Sequence, residues 1–131
     1  MPEIKIVIIQ PHQIKLERTC DQVVVPGVDG DFGILPGHTA FITKIRPGVL
    51  KVFDETEMTN YAIHDGFVTV ESDVVKIVCD VIEEEAEIDV DRAQDAKLRA
   101  EKRLQGEKSD VDFRRAEFAL KRAITRLEIK Q

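Results

Sequence analysis

Residues 67–81 read FVTVESDVVKIVCDV, and this stretch determines the fold class of the first part of the chain. Residues with high strand propensity stand on both sides of a Ser-Asp dipeptide, and 67–71 alternate apolar with polar side chains. Serine and aspartate favour turns because their side chains bond to nearby backbone groups. The stretch therefore predicts two short strands, 67–71 and 74–81, joined by a turn.

Five further segments of the same composition precede this stretch, at 3–9, 14–25, 39–45, 49–53 and 59–63. Proline–glycine or aspartate–glycine pairs, which are strong turn signals, fall in most of the gaps between them. Seven short strands without intervening helical patterns are typical of an antiparallel β-sandwich or flattened barrel.

The pattern changes after residue 81. An acidic run, Glu83 to Glu87, indicates an interdomain linker, and Asp89 is then a good N-cap for a helix. Gly106 ends this helix, and Ser109 or Asp110 can cap a second one. The helical stripes are rich in alanine, as in Ala93, Ala96, Ala100, Leu104, Phe113, Ala116, Leu120, Ala123, Ile124 and Leu127.

These features predict an α+β chain with a β-sandwich domain, residues 1–85, and an antiparallel two-helix hairpin, residues 86–131. Alanine offers little apolar area to bury. We therefore expect the hairpin to be weakly attached to the sandwich and able to change its position.

Charge and composition limit the partners. Residues 1–87 carry a net charge of −9 and residues 88–131 a net charge of +3. The overall acidity and the absence of tryptophan argue against nucleic acid. No apolar run is long enough to span a bilayer and no signal peptide is evident, so we expect membrane contact only through a partner. Cys20 and Cys79 lack ligand spacing and indicate buried thiols.

Arginines on the two helices are the main candidates for a binding site. Arg92 and Arg99 share one face of the first helix, and Arg122 and Arg126 share one face of the second. In a hairpin these pairs can converge into a pocket that suits a triphosphate. The alternative is a solvated face with ion pairs to Asp95, Glu101 and Glu117, and no glycine-rich phosphate loop is present.

Catalysis finds little support in the sequence. His38 follows a glycine in a tight loop, but the sequence shows neither an orienting residue nor a nucleophile that would make it a general base. His12 and His64 indicate ordinary surface or edge residues. A small hydrolase on a sandwich scaffold is disfavoured because no nucleophile–base pair is evident.

Several motifs resemble those of the epsilon subunits of F-type rotary ATP synthases, over nearly the whole chain. They are GDFGILPGHTA at 30–40, RPG at 46–48, DGFVTV at 65–70, IDVDRA at 88–93 and DVDF at 110–113. The chain departs from the usual family pattern at 39–41, where Thr-Ala-Phe stands in place of Ala-Pro-Leu.

The resemblance implies a non-catalytic rotor subunit of the central stalk, involved in ATP synthesis and hydrogen ion transport. The sandwich would bind the gamma subunit and the ring of c subunits, with Asp31 and His38 in the loop that faces the ring. The hairpin would extend toward the catalytic beta subunits and inhibit ATP hydrolysis. The implied location is peripheral, on the cytoplasmic face of the bacterial inner membrane.

The same resemblance implies no required cofactor but suggests ATP as a regulatory ligand, because some bacterial epsilon subunits bind it on the folded hairpin. The matching positions are Glu83, Ile88, Asp89, Arg92, Ala93, Arg99, Arg122 and Arg126. A free-standing adaptor whose basic hairpin binds acidic proteins is the alternative. The adaptor explains the charge asymmetry but not the motif at 30–40.

Overall fold

The computed structural model describes residues 3–55, 57–105 and 110–129. Within these ranges the chain forms ten strands, one short 3₁₀ helix (Glu85–Glu87) and two α-helices. The bounds are β1 Ile4–Gln10, β2 Gln13–Cys20, β3 Gln22–Gly27, β4 Gly30–Ile34, β5 Phe41–Ile45, β6 Gly48–Asp54, β7 Glu57–Ile63, β8 Gly66–Glu71, β9 Val74–Cys79, β10 Ile82–Glu84, α1 Val90–Gln105 and α2 Asp110–Ile129.

The strands form one continuous sheet that folds back on itself. Their order is β10-β7-β6-β3-β5-β8-β9-β1-β2, and β4 pairs with β3. Described neighbours are antiparallel except β1 and β9, which are parallel. β3 and β5 pair through a single described residue pair, Gly27 with Ile45. Because this pairing is so short, the sheet can bend there and form two layers.

Inward side chains from the two layers meet in a single core. Val23 and Leu50 come from one layer, and Ile6, Val68 and Ile77 come from the other, all fully buried in the same cluster. Strand alternation places these residues on the inner face and the residues between them on the outer face. The predicted α+β architecture with an antiparallel sandwich is confirmed.

Two predicted segments differ in detail. The single strand expected at 14–25 is wrong, because Asp21 separates β2 from β3 and donates its backbone N–H to Phe53 O. β2 pairs with β1 in one layer, whereas β3 pairs with β6 in the other. The second difference is that the start of the 30–40 motif forms a strand, β4, which was not predicted. β4 forms a hairpin with β3, in which Gly30 pairs with Gly27 and Ile34 pairs with Val23.

Residues 83–87 do connect the sandwich to the helices, but the predicted solvated linker is wrong, because these residues form regular structure. Ile82–Glu84 form β10, which extends the sheet along β7, and the 3₁₀ helix follows. The buried Ile82 side chain joins the sandwich core, whereas Glu83 remains partly exposed toward the helices. Backbone pairing at the β7 edge and the alternation of side chains let an acidic segment continue the sheet.

The helices begin and pack largely as expected. An oxygen of the Asp89 carboxylate accepts a hydrogen bond from Arg92 N at 3.1 Å, which confirms the predicted N-cap. The alanines at 93, 100, 116 and 123 are buried and let the helices approach closely. Phe113 was expected in this apolar stripe but is 47% exposed. The predicted turn at 106–109 lies outside the described residues.

The hairpin lies against the layer that contains β6 and β7. Ile88 and Ile129 are buried against Ala62 of β7, with the partly buried Val49 of β6 beside them. This apolar seam is far smaller than the sandwich core, because three buried residues form it. Polar contacts at its margin consequently carry more weight in holding the hairpin.

Candidate functional site

A cleft of about 450 Å³ lies between the end of the sandwich and the two helices. Its walls come from β10, the 3₁₀ helix, the first two turns and middle of α1, and the last turn of α2. The lining residues are Val81, Glu83, Glu87, Asp89, Arg92, Ala93, Ala96, Arg99 and Arg126.

The cleft brings together six of the eight residues predicted from the family resemblance: Glu83, Asp89, Arg92, Ala93, Arg99 and Arg126. The remaining two lie elsewhere. Ile88 is buried in the apolar seam, where it supports the start of α1. Arg122 lines a neighbouring cavity of about 540 Å³.

Local structure explains why the arginines of α1 face the cleft. The Asp89 cap fixes the first turn of α1, and helix residues seven positions apart then lie on similar sides of the helix. Arg92 and Arg99 therefore extend from one face, two turns apart. The small side chains of Ala93 and Ala96 leave space between them.

Arg126 spans the cleft from the other helix. Its Nε lies 2.6 Å from Oε1 of Glu83, and both side chains are about one-quarter exposed, at 25% and 26%. Such a short, charge-assisted hydrogen bond links the last turns of α2 to the sandwich. It differs from the predicted alternative, in which the arginines pair with acidic residues of the hairpin itself.

The carboxylates at the cleft have different partners. A hydrogen bond from Lys15 at 2.6 Å is the main cause that lowers the pKa of Glu87, so this group stays ionised. Asp89 accepts the helix-cap bond described above. Arg92 and Arg99 form no ion pair with another residue in the described ranges. Their guanidinium groups can therefore donate to an anion.

The cleft is suited to binding rather than to covalent chemistry. Its described lining residues contribute three guanidinium and three carboxylate groups but no hydroxyl, thiol or imidazole. Guanidinium groups bind phosphate oxygens through paired N–H donors. Carboxylate oxygens can accept hydrogen bonds from an amino or hydroxyl group at the other end of the same ligand.

His64 is a functional candidate that sequence reasoning missed. It was expected at the surface or an edge, but its side chain is only 4% exposed, beneath the docked hairpin. Its Nε2 lies 3.3 Å from the Glu83 oxygen that also accepts from Arg126. Burial is the main cause that lowers the pKa of His64, and the neighbouring Arg126 lowers it further.

The two residues of the predicted c-ring loop lie on different segments, Asp31 within β4 and His38 between β4 and β5. Asp31 forms an ion pair of 2.6 Å with Arg46, directly after β5. His38 precedes β5, and its ring contacts Phe41. The neighbouring Gly37 N donates to Asp73 in the β8–β9 turn. The structure therefore does not bring Asp31 and His38 together.

An exposed apolar patch covers the outer face of β5, β8 and β9. Ile42, Phe67 and Val78 are 68%, 55% and 52% exposed. Phe67 of β8 lies opposite Val78 of β9 and diagonal to Ile42 of β5. The sequence signal was available, because these apolar residues occupy outward positions of alternating strands.

Both described thiols match the expectation from sequence. Cys20 and Cys79 are free and buried. Neither described helix is long and apolar enough to cross a membrane.

Models of known families match both parts of the chain. Residues 3–85 match the "ATP synthase, Delta/Epsilon chain, beta-sandwich domain" and residues 86–131 match the "ATP synthase, Delta/Epsilon chain, long alpha-helix domain". Similar proteins include the ATP synthase epsilon chain of Syntrophobacter fumaroxidans, 40% identical, covering 98% of this chain and 96% of that protein. The epsilon chain of Exiguobacterium sp. is also 40% identical, covering 99% and 97%.

Solved structures give the same fold at lower identity. A chain of the Euglena gracilis mitochondrial ATP synthase, from a structure of its OSCP, F1 and c-ring, superposes with a TM-score of 0.88 at 23% identity. That match covers 99% of this chain and 82% of the other. A chain of the Tetrahymena thermophila central stalk and c-ring gives 0.72 at 14% identity, covering 98% and 96%.

Proposed function

This chain belongs to the ATP synthase delta/epsilon chain family, and we propose that it acts as a non-catalytic, regulatory subunit of the rotor. In this proposal the sandwich binds the gamma subunit and the c-ring, and the hairpin inhibits ATP hydrolysis at the catalytic beta subunits. ATP in the cleft stabilises the docked hairpin and relieves that inhibition. The complex lies at the cytoplasmic face of the bacterial plasma membrane.

The observation that carries the regulatory proposal is the small area of the docking seam. Among the described residues, three buried apolar side chains and two partly exposed ion pairs, Glu83–Arg126 and Lys15–Glu87, hold the segment from residue 86 onward against the sandwich. Burying so few side chains stabilises docking by only a few kcal/mol, on the order of 1.5–3 kcal/mol for a fully buried aliphatic side chain. A ligand or a partner of moderate affinity can then change the position of the hairpin.

Attachment to the rotor is supported by the exposed patch of Ile42, Phe67 and Val78. Three large apolar side chains on one sheet face resemble the apolar centre of a protein interface. The patch lies on the layer opposite the docked hairpin, so a partner bound there leaves the hairpin free to move. The similar chains of known structure come from an assembly of OSCP, F1 and c-ring and from one of central stalk and c-ring.

Nucleotide binding is supported by the charges of the cleft. Arg92 and Arg99 of α1 converge with Arg126 of α2 only because the helices are antiparallel and docked. Glu83 and Asp89 provide acceptors for the amino group of a base at the other end. No hydrolysis follows from this arrangement, since the described lining residues offer no general base beside a positioned nucleophile.

Deleting residues 88–131 tests the inhibitory role in the reconstituted synthase. We expect the truncated subunit to assemble and ATP hydrolysis to rise, because the sandwich core does not include the hairpin. Unchanged hydrolysis would refute the inhibitory role. Calorimetric titration of the full chain with ATP tests the cleft separately, and Arg99→Ala should weaken binding by about 1.5–3 kcal/mol, the range for a hydrogen bond to a charged group.

Lys97→Ala is the matched control for this titration. Lys97 lies on α1 but does not line the cleft, so removing its charge should leave ATP binding nearly unchanged. Absence of binding heat at millimolar ATP would refute the nucleotide proposal and leave the inhibitory role to be decided by the hydrolysis assay.

A further inference from the structure

His64 is enclosed by the docked hairpin at the end of β7. Its Nε2 faces Glu83 Oε1 at 3.3 Å, and Arg126 Nε donates to the same oxygen at 2.6 Å. The Nδ1 atom is buried and has no hydrogen-bond partner among the described residues. One ring nitrogen therefore lies at the docking contact and the other lies in a buried site without a partner.

Protonation of His64 is unfavourable in this arrangement. In the neutral ring, Nε2–H donates to Glu83 and Nδ1 carries a lone pair. Protonation would place a donor on the buried Nδ1 without an acceptor and a second positive charge beside Arg126. The charged groups around this site are Glu83 of β10, Arg115, Arg122 and Arg126 of α2, Arg103 of α1, and Asp65 and Asp80 of the adjoining loops.

We propose that acidification releases the hairpin from the sandwich, because docking encloses a neutral His64 that becomes free to bind a proton once α2 moves away. The inference rests on the proposed mobility of the hairpin. It adds a second control of hairpin position that requires neither nucleotide nor a partner subunit.

The direction follows from the difference in proton affinity. Burial, followed by the charge of Arg126, lowers the pKa of docked His64 below its ordinary value of 6.5. At a pH well above the ordinary histidine value, His64 is neutral in both states and docking is unaffected. As the pH falls below 6.5 the released state binds a proton first, so the docked-to-released ratio drops by up to about tenfold per pH unit. The docked-to-released ratio stops falling at a pH low enough for His64 of the docked form to be protonated as well.

Spin labels on the two parts of the full chain measure this equilibrium. Cysteines introduced at Lys76 on the outer face of β9 and at Gln94 on α1 are exposed and distant from the seam. Labelling is selective because burial raises the pKa of Cys20 and Cys79 to about 11. We expect a second, altered distance to grow as the pH falls from about 7.5 to about 5, above the usual range for carboxyl groups.

His64→Gln is the decisive variant, because an amide can still donate to Glu83 but does not titrate. We expect its distance distribution to stay constant with pH. His12→Gln, at an exposed turn, should retain the response of the parent protein. A constant distribution in the parent, or a response retained in His64→Gln, would overturn the proposal.

Imidazole titration by NMR in the unsubstituted chain decides the matter if His64→Gln fails to fold. His64 must titrate below the ordinary histidine pKa of 6.5, and titration at or above that value would overturn the proposal. These measurements contain no ATP and no other subunit. Their failure is therefore distinct from failure of the hydrolysis or calorimetric experiments.

Discussion

Arg126→Ala tests how the hairpin is held. The substitution removes the 2.6 Å contact with Glu83, in which each side chain is about one-quarter exposed. A hydrogen bond to a charged group contributes about 1.5–3 kcal/mol, whereas an exposed ion pair contributes at most about 1 kcal/mol. The intermediate exposure points to a loss of about 1–2 kcal/mol, a five- to thirtyfold fall in the docked-to-released ratio.

The distance between labels at positions 76 and 94 measures that ratio at pH 7.5. Lys121→Ala is the matched control, because Lys121 is on the same helix but pairs with Glu117 within α2. We expect no change in docking for this variant.

A double-mutant cycle isolates the contact between Arg126 and Glu83. Glu83→Ala alone should release the hairpin to a similar degree, and adding Arg126→Ala should have little further effect. Additive losses in the double variant would show that the two side chains act independently, contrary to the geometry.

Three further outcomes follow from local geometry. Asp89→Ala should lower hairpin stability by about 1 kcal/mol in thermal melts followed by circular dichroism, whereas Asp89→Asn should preserve the cap. Gly66→Ala should destabilise the sandwich in urea by at least about 1–3 kcal/mol, because φ is 149° and the new Cβ would lie 2.2 Å from a backbone oxygen of β9. Gly33→Ala, which meets only a flexible side chain, should change stability by less than about 0.5 kcal/mol. Cys20 and Cys79, with pKa values of about 11, should resist alkylation at pH 8 until urea unfolds the chain, and rapid native-state alkylation would contradict their burial.

Helical spacing made much of the cleft predictable. Arg92 and Arg99 were placed on one face by their separation of seven residues, and Asp89 was assigned as the N-cap from its position before the helix. Both depend on local geometry that is the same in any helix. The burial of the alanines at 93, 100, 116 and 123 between the helices followed from the same periodicity.

Long-range contacts explain what the sequence did not reveal. His64 is buried because α2, some 60 residues later in the chain, covers the end of β7. The charge of Glu83 suggested a solvated linker, because local sequence does not reveal the pairing of β10 with β7 or the contact with Arg126, 43 residues later. Asp31 and His38 are close in sequence, yet Asp31 pairs with Arg46 after β5, whereas His38 contacts Phe41 at the start of β5.

Glu83 and Arg126 belong both to the docking contact and to the cleft, so a ligand bound in the cleft would be coupled to hairpin position. In the docked state Arg92 and Arg99 of α1 line the same cleft as Arg126 of α2, and Arg92 and Arg99 have no ion-pair partner among the described residues. A phosphate ligand that bound these groups together would favour the docked state. Under the proposed function, ATP at one hundred times its dissociation constant would stabilise the docked form by about 2.7 kcal/mol. This exceeds the 1–2 kcal/mol expected from the Glu83–Arg126 contact, about the range of a partly exposed charged hydrogen bond. Hairpin position would then depend on nucleotide concentration rather than on the ion pair alone, which is the behaviour a regulatory subunit requires.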